Sequence, residues 1–501
     1  MILIATSKYG AGVSSDAVHN LSTVDSLLAG RGFVDLNGRP LAWWPPLYPM
    51  LLYVISLVTK IDPFVVAWYL NIALYVVNIW LVGWFFWVAF RDRPAFAVAC
   101  ALVYTLSRSM LSLHANVSSD PLFITIMCIY FYLAEKYLHS PSSILRWSFF
   151  ILSGLSFLLR FPGIVFFAVS GLLILYREGF RSALKAIPQA VIGILPSAAW
   201  AYFFTYAQTG TFFGPRSPEM MFPLENANIS LARMVHWFVP LYQPLAYVLL
   251  NPWIILIALA VLLLLFTRKQ NWLDLWNVVI TNIYIAPYLV FSVMYYILML
   301  FTVVTVDHLD VYSDRYYIVL FPLVLVMICY ATEHLVFSHF DGSRSFIRYV
   351  SLAVFVFWLA YPLLSLQEYL RIALVEGEPS SYNIQNTRAL RESKVIQKGR
   401  ALMESDPGAA IYSNYANAVW FAYRQPLDLL PTRYDTLSYS ERIDHLRQVY
   451  PGWPNGKDGY IIWFKPNQYH HVAQPRELAE IATVELIYED KRGAIYRVTT
   501  R

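Results

Sequence analysis

The 501-residue sequence is poor in charge, because only 14% of its residues are Asp, Glu, Lys or Arg, whereas 58% are hydrophobic and 17% aromatic. Soluble globular domains carry about 25% charged residues. This shortage argues against an ordinary soluble protein. Lipid must solvate most of the chain, so we predict an integral membrane protein.

Cysteine and metal-ligand patterns are also scarce. The only cysteines, Cys100, Cys128 and Cys329, lie inside apolar runs and form neither a disulfide framework nor a metal-ligand spacing. His19 and His114 lie near acidic residues, but no HxH, DxD or Cys/His set accompanies them. We therefore expect no disulfide, no thiolate chemistry and no evident metal or other cofactor.

A basic stripe of the kind that binds nucleic acid is missing. The net charge is +5, but the basic residues fall in small clusters between apolar runs, which is typical of membrane topology rather than of a nucleic acid partner. No repeat of fixed period occurs, which disfavours a solenoid and a transporter built from two similar halves.

Long apolar runs dominate the first three quarters of the chain, and a membrane-spanning helix needs ~20 such residues. The candidate spans are residues 64–90, 95–113, 121–138, 147–159, 163–176, 187–206, 244–266, 275–303, 316–335 and 347–365. Basic clusters separate them at Arg91, Lys136, Arg177, Arg268 and Arg344. The positive-inside rule places all of these clusters in the cytoplasm. With a first span that ends in residues 1–5, the topology has about eleven crossings.

This topology places several segments on the outer side of the membrane. They are residues 10–63, the turn around Asp120, residues 207–243, the turn at 304–315 and the tail. Residues 45–59 cannot cross without breaking the pattern of basic clusters, so we predict an interfacial helix there. Residues 147–159 and 163–176 are predicted to be two short helices that meet outside at Arg160.

The start of the sequence, MILIATSKYG, has no basic region and too short an apolar stretch for a signal peptide or a complete span. We therefore expect that the natural start codon lies upstream of Met1.

The end of the chain is richer in charge. Strand-like runs at 409–413, 417–423, 459–464 and 494–498 are separated by turn residues and by helix-favouring stretches at 388–404 and 438–449. We predict a polytopic α-helical module over residues 1–365, with a first outer loop at 10–63. A small α/β extracytoplasmic domain is predicted over residues 366–501.

Asp16 lies at the start of an amphipathic helix in the first outer loop, directly after Ser14 and Ser15. One interpretation is structural, because all three side chains can accept hydrogen bonds from the free amide groups of a first helical turn. The other is functional, because a carboxylate at the membrane surface can take a proton from the hydroxyl group of an acceptor.

A series of motifs follows Asp16 in the same loop: LAGRGF at residues 28–33 and WPPLYP at residues 44–49. In this order the motifs resemble the first outer loop of the GT-C membrane glycosyltransferases, which include protein O-mannosyltransferases and the lipid A aminoarabinose transferase. The resemblance implies a GT-C-like fold, surface-lying helices after the loop, and a catalytic role for Asp16. His19 and Tyr48 are candidate substrate-binding residues in this loop. A tyrosine ring can stack on a sugar, although interfacial aromatic belts explain most tyrosines near span ends.

Asp120, in the motif SDPLF at residues 119–123, resembles an acidic residue found at the outer face in this superfamily, with Asp in place of the commoner Glu. The resemblance makes Asp120 a second candidate catalytic residue that assists positioning. The alternative is helix capping, with Pro121 at the favoured first helical position.

Arg160 begins the motif RFPG, which resembles the Arg-x-x-Gly between short spans in the same superfamily. A guanidinium in apolar surroundings is costly unless it meets an anion, and the resemblance implies a lipid phosphate. A protein carboxylate such as Asp16 or Asp120, or a snorkelling position at the interface, is the alternative.

Arg216 and Arg315 lie at outer span ends that also resemble segments of these enzymes, and both are further candidates for binding the donor phosphate. For Arg315 the alternative is an ion pair with a neighbouring acid, Asp307, Asp310 or Asp314.

The resemblance implies a glycosyltransferase whose donor is a sugar on a polyprenyl or dolichyl phosphate, with inversion at the anomeric carbon. The acceptor, whether lipid, glycan or protein, stays open. The expected location is a prokaryotic plasma membrane, with the active site and tail outside. The alternatives are a transporter or lipid-linked sugar flippase, which should carry charges near mid-membrane, and a scaffold whose tail binds an envelope partner.

Overall fold

The computed structural model describes residues 1–212, 229–231, 234, 237–238, 285–305, 314–332, 345–377, 383–433, 446–465 and 472–501. The predicted span 244–266, the first part of 275–303 and Arg216 lie outside these residues. The chain forms two compact units. The first comprises Met1–Ile2, Ala42–Tyr48 and Tyr69–Arg371, and the second comprises Leu3–Leu41, Pro49–Trp68 and Ile372–Arg501.

Apolar helices make up most of the first 376 residues. The helices are α1 (Ile2–Ala5), α2 (Ser15–Leu28), α3 (Leu47–Thr59), α4 (Pro63–Ala89), α5 (Pro94–Leu106), α6 (Arg108–His114), α7 (Asp120–His139), α8 (Ser143–Leu159), α9 (Val165–Glu178), α10 (Phe180–Lys185), α11 (Ile187–Trp200), α12 (Ile285–Thr305), α13 (Phe321–Thr332) and α14 (Ser345–Glu376). A π-helical turn, Ala201–Tyr206, extends α11 to Thr209. Short 3-10 helices lie at Phe161–Ile164, Asp314–Tyr316 and Ile318–Leu320.

Five of the described helices are long and apolar enough to cross a membrane, or six if α5 and α6 form one bent span. The protein is therefore a polytopic membrane protein. The candidate span at 95–113 is divided into α5 and α6, which meet at a 55° bend. At the bend Ser107 is extended, and its Oγ accepts a hydrogen bond from the Met110 amide at 3.4 Å, so that a new helix begins there.

Helices α7, α8 and α9 run back and forth between two polar ends of the first unit. At one end the carboxylate of Glu178, in the last turn of α9, accepts a 2.9 Å hydrogen bond from Arg146 at the start of α8 and another from Tyr137 near the end of α7. At the other end, Asp120 begins α7 and pairs with Arg160, which directly follows α8. The 20 residues of α7 correspond to ~30 Å, the thickness of a hydrocarbon core. The two short helices predicted to meet at Arg160 are thus present.

Helix α3 corresponds to the predicted interfacial helix. Its 13 residues are apolar but extend only ~20 Å, too short for a straight crossing. An interfacial position for α3 remains our prediction.

A four-stranded sheet forms the core of the C-terminal part of the second unit. Its strands are β1 (Ala410–Ser413), β2 (Gly459–Phe464), β3 (Thr483–Glu489) and β4 (Gly493–Thr499), in the order β1-β2-β4-β3. The first pair is parallel and the other two pairs are antiparallel. The central strand β2 is buried throughout. The accompanying helices are α15 (Arg388–Arg391), α16 (Lys394–Ser405), α17 (Ala416–Tyr423), α18 (Leu446–Val449) and α19 (Pro475–Leu478).

Two secondary-structure predictions in this region need correction. The run 417–423 is not a strand but belongs to helix α17, which buries Ala418, Val419 and Trp420 and contacts α2 and α16. Strand β3 was not predicted. Its sequence, TVELIYE, contains charged residues and is mostly exposed, so it lacks the clear alternation of apolar and polar residues that is typical of a half-buried strand.

Most of the first outer loop, residues 10–41 and 49–63, belongs to the same compact unit as the tail. The physical reason is backbone pairing over a long sequence distance. The amides of Ile384 and Gln385 both donate to the Val13 carbonyl, at 3.0 and 2.9 Å, and the Leu427 amide donates to the Leu36 carbonyl at 2.9 Å. The division between the two compact units near the tail lies at 371/372, within α14, and a domain boundary at 365/366 remains our prediction.

Candidate active site

Asp120, Arg160 and Arg315 form an ionic cluster in the first unit. The Asp120 carboxylate is fully buried and pairs with the Arg160 guanidinium through one oxygen and with Arg315 Nε, at 2.9 Å, through the other. The two arginine side chains are only 12% and 13% exposed. Two guanidiniums thus converge on one buried carboxylate, in a poorly hydrated place.

The buried amides of Asn71 and Asn78 on α4 hold the start of α7 in position. These residues are seven apart and therefore lie on one face of the helix. Asn71 donates to the Asn116 carbonyl at 2.5 Å, and Asn78 donates to the Pro121 carbonyl at 3.0 Å. The first contact holds the chain before Asp120 and the second holds it after Asp120. The position of the carboxylate is therefore determined by α4 as well as by α7.

A further contact of Asn78 defines the state of a buried histidine. His114 Nδ1 lies 2.8 Å from the Met110 carbonyl, and its Nε2 lies 3.0 Å from the Asn78 amide nitrogen. Because a carbonyl can only accept and an amide nitrogen can only donate, this network assigns a neutral imidazole protonated at Nδ1. His114 is thus a structural element of the support behind Asp120.

The motif that contains Arg160 owes its shape to Gly163. After α8 the chain is extended at Arg160 and then turns into a 3-10 helix. A Cβ atom at Gly163 would collide with the backbone of Ser156 in the last turn of α8. Glycine at position 163 therefore allows the chain to turn closely against the end of α8. This turn leaves Arg160 at the helix end, where it pairs with Asp120.

Two tyrosines lie beside the arginines. The hydroxyl group of Tyr295 on α12 donates to the Tyr316 carbonyl at 3.1 Å and interacts with the guanidinium of Arg160. Tyr48 is 1% exposed and interacts electrostatically with the positive charge of Arg315. Its buried hydroxyl group has no hydrogen-bond partner among the described residues. A phenol in such a place can donate to an anion that the arginines attract.

Asp16 and His19 lie in the second unit, three residues apart on helix α2, and so share one face of it. Both are partly exposed. The helix is capped by Ser14, whose Oγ accepts from the Ala17 amide at 3.3 Å. Of the residues weighed for capping, Ser14 therefore takes that role, and the Asp16 side chain is not the cap. His19 Nδ1 lies 3.4 Å from Asp35.

A second ionic contact fixes α2 within its unit. Arg424, which follows α17, binds both carboxylate oxygens of Asp25, at 3.0 and 3.1 Å, and one oxygen of Asp62 at 3.2 Å. Burial raises the pKa of Asp25, and Arg424 partly opposes that shift. The helix that carries Asp16 is thus held by a bidentate pair near its C-terminal end.

The structure brings together four predicted residues, namely Tyr48, Asp120, Arg160 and Arg315. The predicted partner of Arg160 within the protein is Asp120, and Arg315 pairs with the same carboxylate. Tyr295 and Asn78 were missed, because a tyrosine and an asparagine within long apolar helices give no local motif. The buried polar position of Asn78 in a span was the available signal. Among the described residues, no group of three His, Cys, Asp or Glu side chains could hold a metal ion.

Comparison with known proteins gives no match to any family model and none to a curated protein sequence. Solved structures do match. The crystal structure of ArnT from Cupriavidus metallidurans bound to undecaprenyl phosphate superposes with a TM-score of 0.55 at 12% sequence identity, over 99% of this chain and 95% of that one. This chain has the ArnT fold. The apo structure of the same protein gives a TM-score of 0.53 at 12% identity.

The agreement with ArnT confirms the resemblance to GT-C glycosyltransferases at the level of fold, over nearly the whole chain. The mycobacterial arabinofuranosyltransferase AftD also matches, with a TM-score of 0.47 at 13% identity, and this chain covers 39% of its length. The superposition on ArnT agrees with the architecture that the motifs of the first outer loop suggested.

Proposed function

We propose that the protein is a glycosyltransferase that moves a sugar from a polyprenyl-phosphate donor to an acceptor at the outer face of the membrane, with inversion. The observation that carries this proposal is the convergence of Arg160 and Arg315 on the buried Asp120 carboxylate at the ends of membrane helices, with the unpaired hydroxyl group of Tyr48 beside Arg315. A charge there is costly without an anion. ArnT, with the same fold, was crystallised with undecaprenyl phosphate.

Arg160, Arg315 and Tyr48 bind the phosphate. A guanidinium carries five N–H groups in a planar fork that suits the oxygens of a phosphate. The buried Tyr48 hydroxyl group adds a neutral donor beside Arg315. Asp120 acts as a positioning residue, since guanidiniums occupy both of its oxygens. Arg216 is a further candidate ligand.

The reaction breaks the bond between the anomeric carbon and the phosphate oxygen, and the bonding electrons stay with that oxygen. The arginines stabilise the charge that develops there, in a site from which water is largely excluded. Asp16 takes the proton of the acceptor hydroxyl, whose oxygen forms the new bond on the opposite face of the sugar. His19, on the same face of α2, contacts the substrate. The products are a glycosylated acceptor and a free polyprenyl phosphate.

Arg160→Gln tests the phosphate-binding role. Loss of a charge-assisted hydrogen bond costs about 1.5–3 kcal/mol, which corresponds to a roughly 10- to 150-fold weaker affinity. We expect this loss when undecaprenyl phosphate is titrated into the purified protein in lipid nanodiscs. The variant should fold, because Asp120 keeps Arg315 as its partner.

The matched control is Arg91→Gln, which removes an exposed arginine just beyond α4 in the same unit. Undecaprenyl phosphate should bind this control as tightly as it binds the parent. Unchanged affinity in Arg160→Gln, or an equal loss in Arg91→Gln, would refute the assignment.

A further inference from the structure

A second polar site lies in the second unit, in a cavity of about 430 Å³. Helices α15, α16 and α17, together with Gln385 just before α15, form its walls. The chain just before α4 and within its first turn completes the cavity. Its polar lining includes Asp62, Gln385, Arg391, Arg400 and Arg424. None of these residues takes part in the transfer reaction proposed above.

Gln385 is the first indication that the cavity binds a ligand. The residue is 2% exposed, and neither its side-chain nitrogen nor its side-chain oxygen has a hydrogen-bond partner among the described residues. Buried amide groups in proteins are nearly always paired. The backbone of Gln385 is fixed by its hydrogen bond to the Val13 carbonyl, so the unpaired amide is held at the cavity wall.

The charges of the lining are the second indication. Arg424 is neutralised by Asp25 and Asp62. Arg391, by contrast, donates to the side-chain oxygen of Asn386 at 2.6 Å and to the Tyr9 carbonyl at 3.3 Å. Arg400 donates to the carbonyl of Ala422. In the part of the chain that the structure describes, neither Arg391 nor Arg400 has a carboxylate partner, so the cavity carries a surplus of positive charge.

Aromatic side chains supply the apolar part of the wall. Phe64 and Phe421 both line the cavity, with ring centroids 5.5 Å apart in an edge-to-face arrangement. The cavity thus combines two arginines with neutral partners, an unpaired amide that can both donate and accept, and an aromatic surface. A simple anion would pair with the arginines but would contact neither the amide nor the aromatic rings. A hydroxylated ring that carries an acidic group would contact the arginines, the amide and the aromatic surface.

We propose that this cavity binds an acidic saccharide. Its carboxylate or phosphate group pairs with Arg391 and Arg400, and its hydroxyl groups bond to the amide of Gln385. The apolar face of its ring packs on Phe421. This binding does not depend on transfer chemistry, so it stands or falls separately from the proposed glycosyltransferase activity.

Calorimetric titration of the intact protein in lipid nanodiscs tests the proposal, with glucuronic acid, glucose 6-phosphate and neutral glucose as probes. At least one acidic probe should bind at least tenfold more tightly than glucose, and the better one identifies a carboxylate or a phosphate as the recognised group. Arg400→Gln should weaken that binding about tenfold. Absence of binding by both acidic probes, or equal affinity for glucose, would overturn the proposal.

Two further variants separate binding from folding. Gln385→Leu has a similar volume and removes both unpaired polar atoms, so it should weaken saccharide binding yet raise the unfolding temperature of the free protein. A lower unfolding temperature would show that the amide is a structural group and would contradict the proposed site. Arg497→Gln, an exposed position on β4 away from the cavity, should bind as the parent does, and an equal loss there would reveal nonspecific attraction.

Discussion

Asp16→Asn is expected to lower the rate of sugar transfer by about 10²- to 10⁴-fold, because it keeps the shape of the side chain but removes the general base. The affinity for undecaprenyl phosphate should stay within about twofold of the parent, since Asp16 is not assigned to the phosphate site. The measurement is the rate at which donor is consumed by the purified protein in lipid, together with a titration of undecaprenyl phosphate.

The control for this substitution is Asp406→Asn, an exposed aspartate after α16 in the same unit. Its turnover should equal that of the parent. If Asp16→Asn turned over within a few-fold of the parent, the assignment of Asp16 as the base would be wrong. The structural role is already separated from the chemical one, because Ser14 rather than Asp16 caps the helix.

Asp120→Ala is expected to destabilise the protein by about 3–5 kcal/mol, the usual cost of leaving a buried charge without its partner. The effect should exceed that of Arg160→Gln, although both substitutions break the same ion pair. Removing Asp120 leaves two largely buried guanidiniums without their shared carboxylate, whereas removing Arg160 leaves a complete pair between Asp120 and Arg315. Denaturant titration in mixed micelles measures the difference.

Two comparisons make this stability test specific. Glu368→Ala breaks an exposed ion pair with Arg371 on α14 and should leave the unfolding midpoint nearly unchanged. The double variant Asp120→Asn with Arg160→Gln should be more stable than Asp120→Asn alone, because it removes one uncompensated charge. Equal stability of Asp120→Ala and the parent would show that the cluster is hydrated and not a buried charge site.

Hydrophobicity and charge were sufficient to predict the membrane helices that the structure describes. The long apolar runs of α4 and α7 have no other explanation, and their bounds were predicted to within one or two residues. The bend at Ser107 was not predicted, because a single serine in an apolar run is compatible with a continuous helix until its side chain is seen to cap a new one. Tertiary contact likewise converted a strand-like aromatic run into helix α17.

The candidate site was only partly visible in the sequence. Asp120, Arg160 and Arg315 were each recognisable as charged residues at the ends of apolar runs. That both arginines pair with the Asp120 carboxylate depends on how three helix ends are placed in the folded chain. Asn71 and Asn78 hold the chain around Asp120 by hydrogen bonds. Their seven-residue spacing places them on one face of α4, but the sequence does not show that this face lies against the start of α7. The cavity with Gln385 could not be foreseen, because residues distant in the sequence line it.

Glycosyl transfer is tested by placing the protein in sealed liposomes that contain a panel of polyprenyl-phosphate sugars, with cell-envelope extract as the source of acceptor. We expect that at least one donor is cleaved, with free polyprenyl phosphate appearing as sugar joins the acceptor, and that Asp16→Asn nearly abolishes both. Movement of an intact lipid-linked sugar between leaflets without cleavage would contradict it, and would identify the protein as a transporter or flippase.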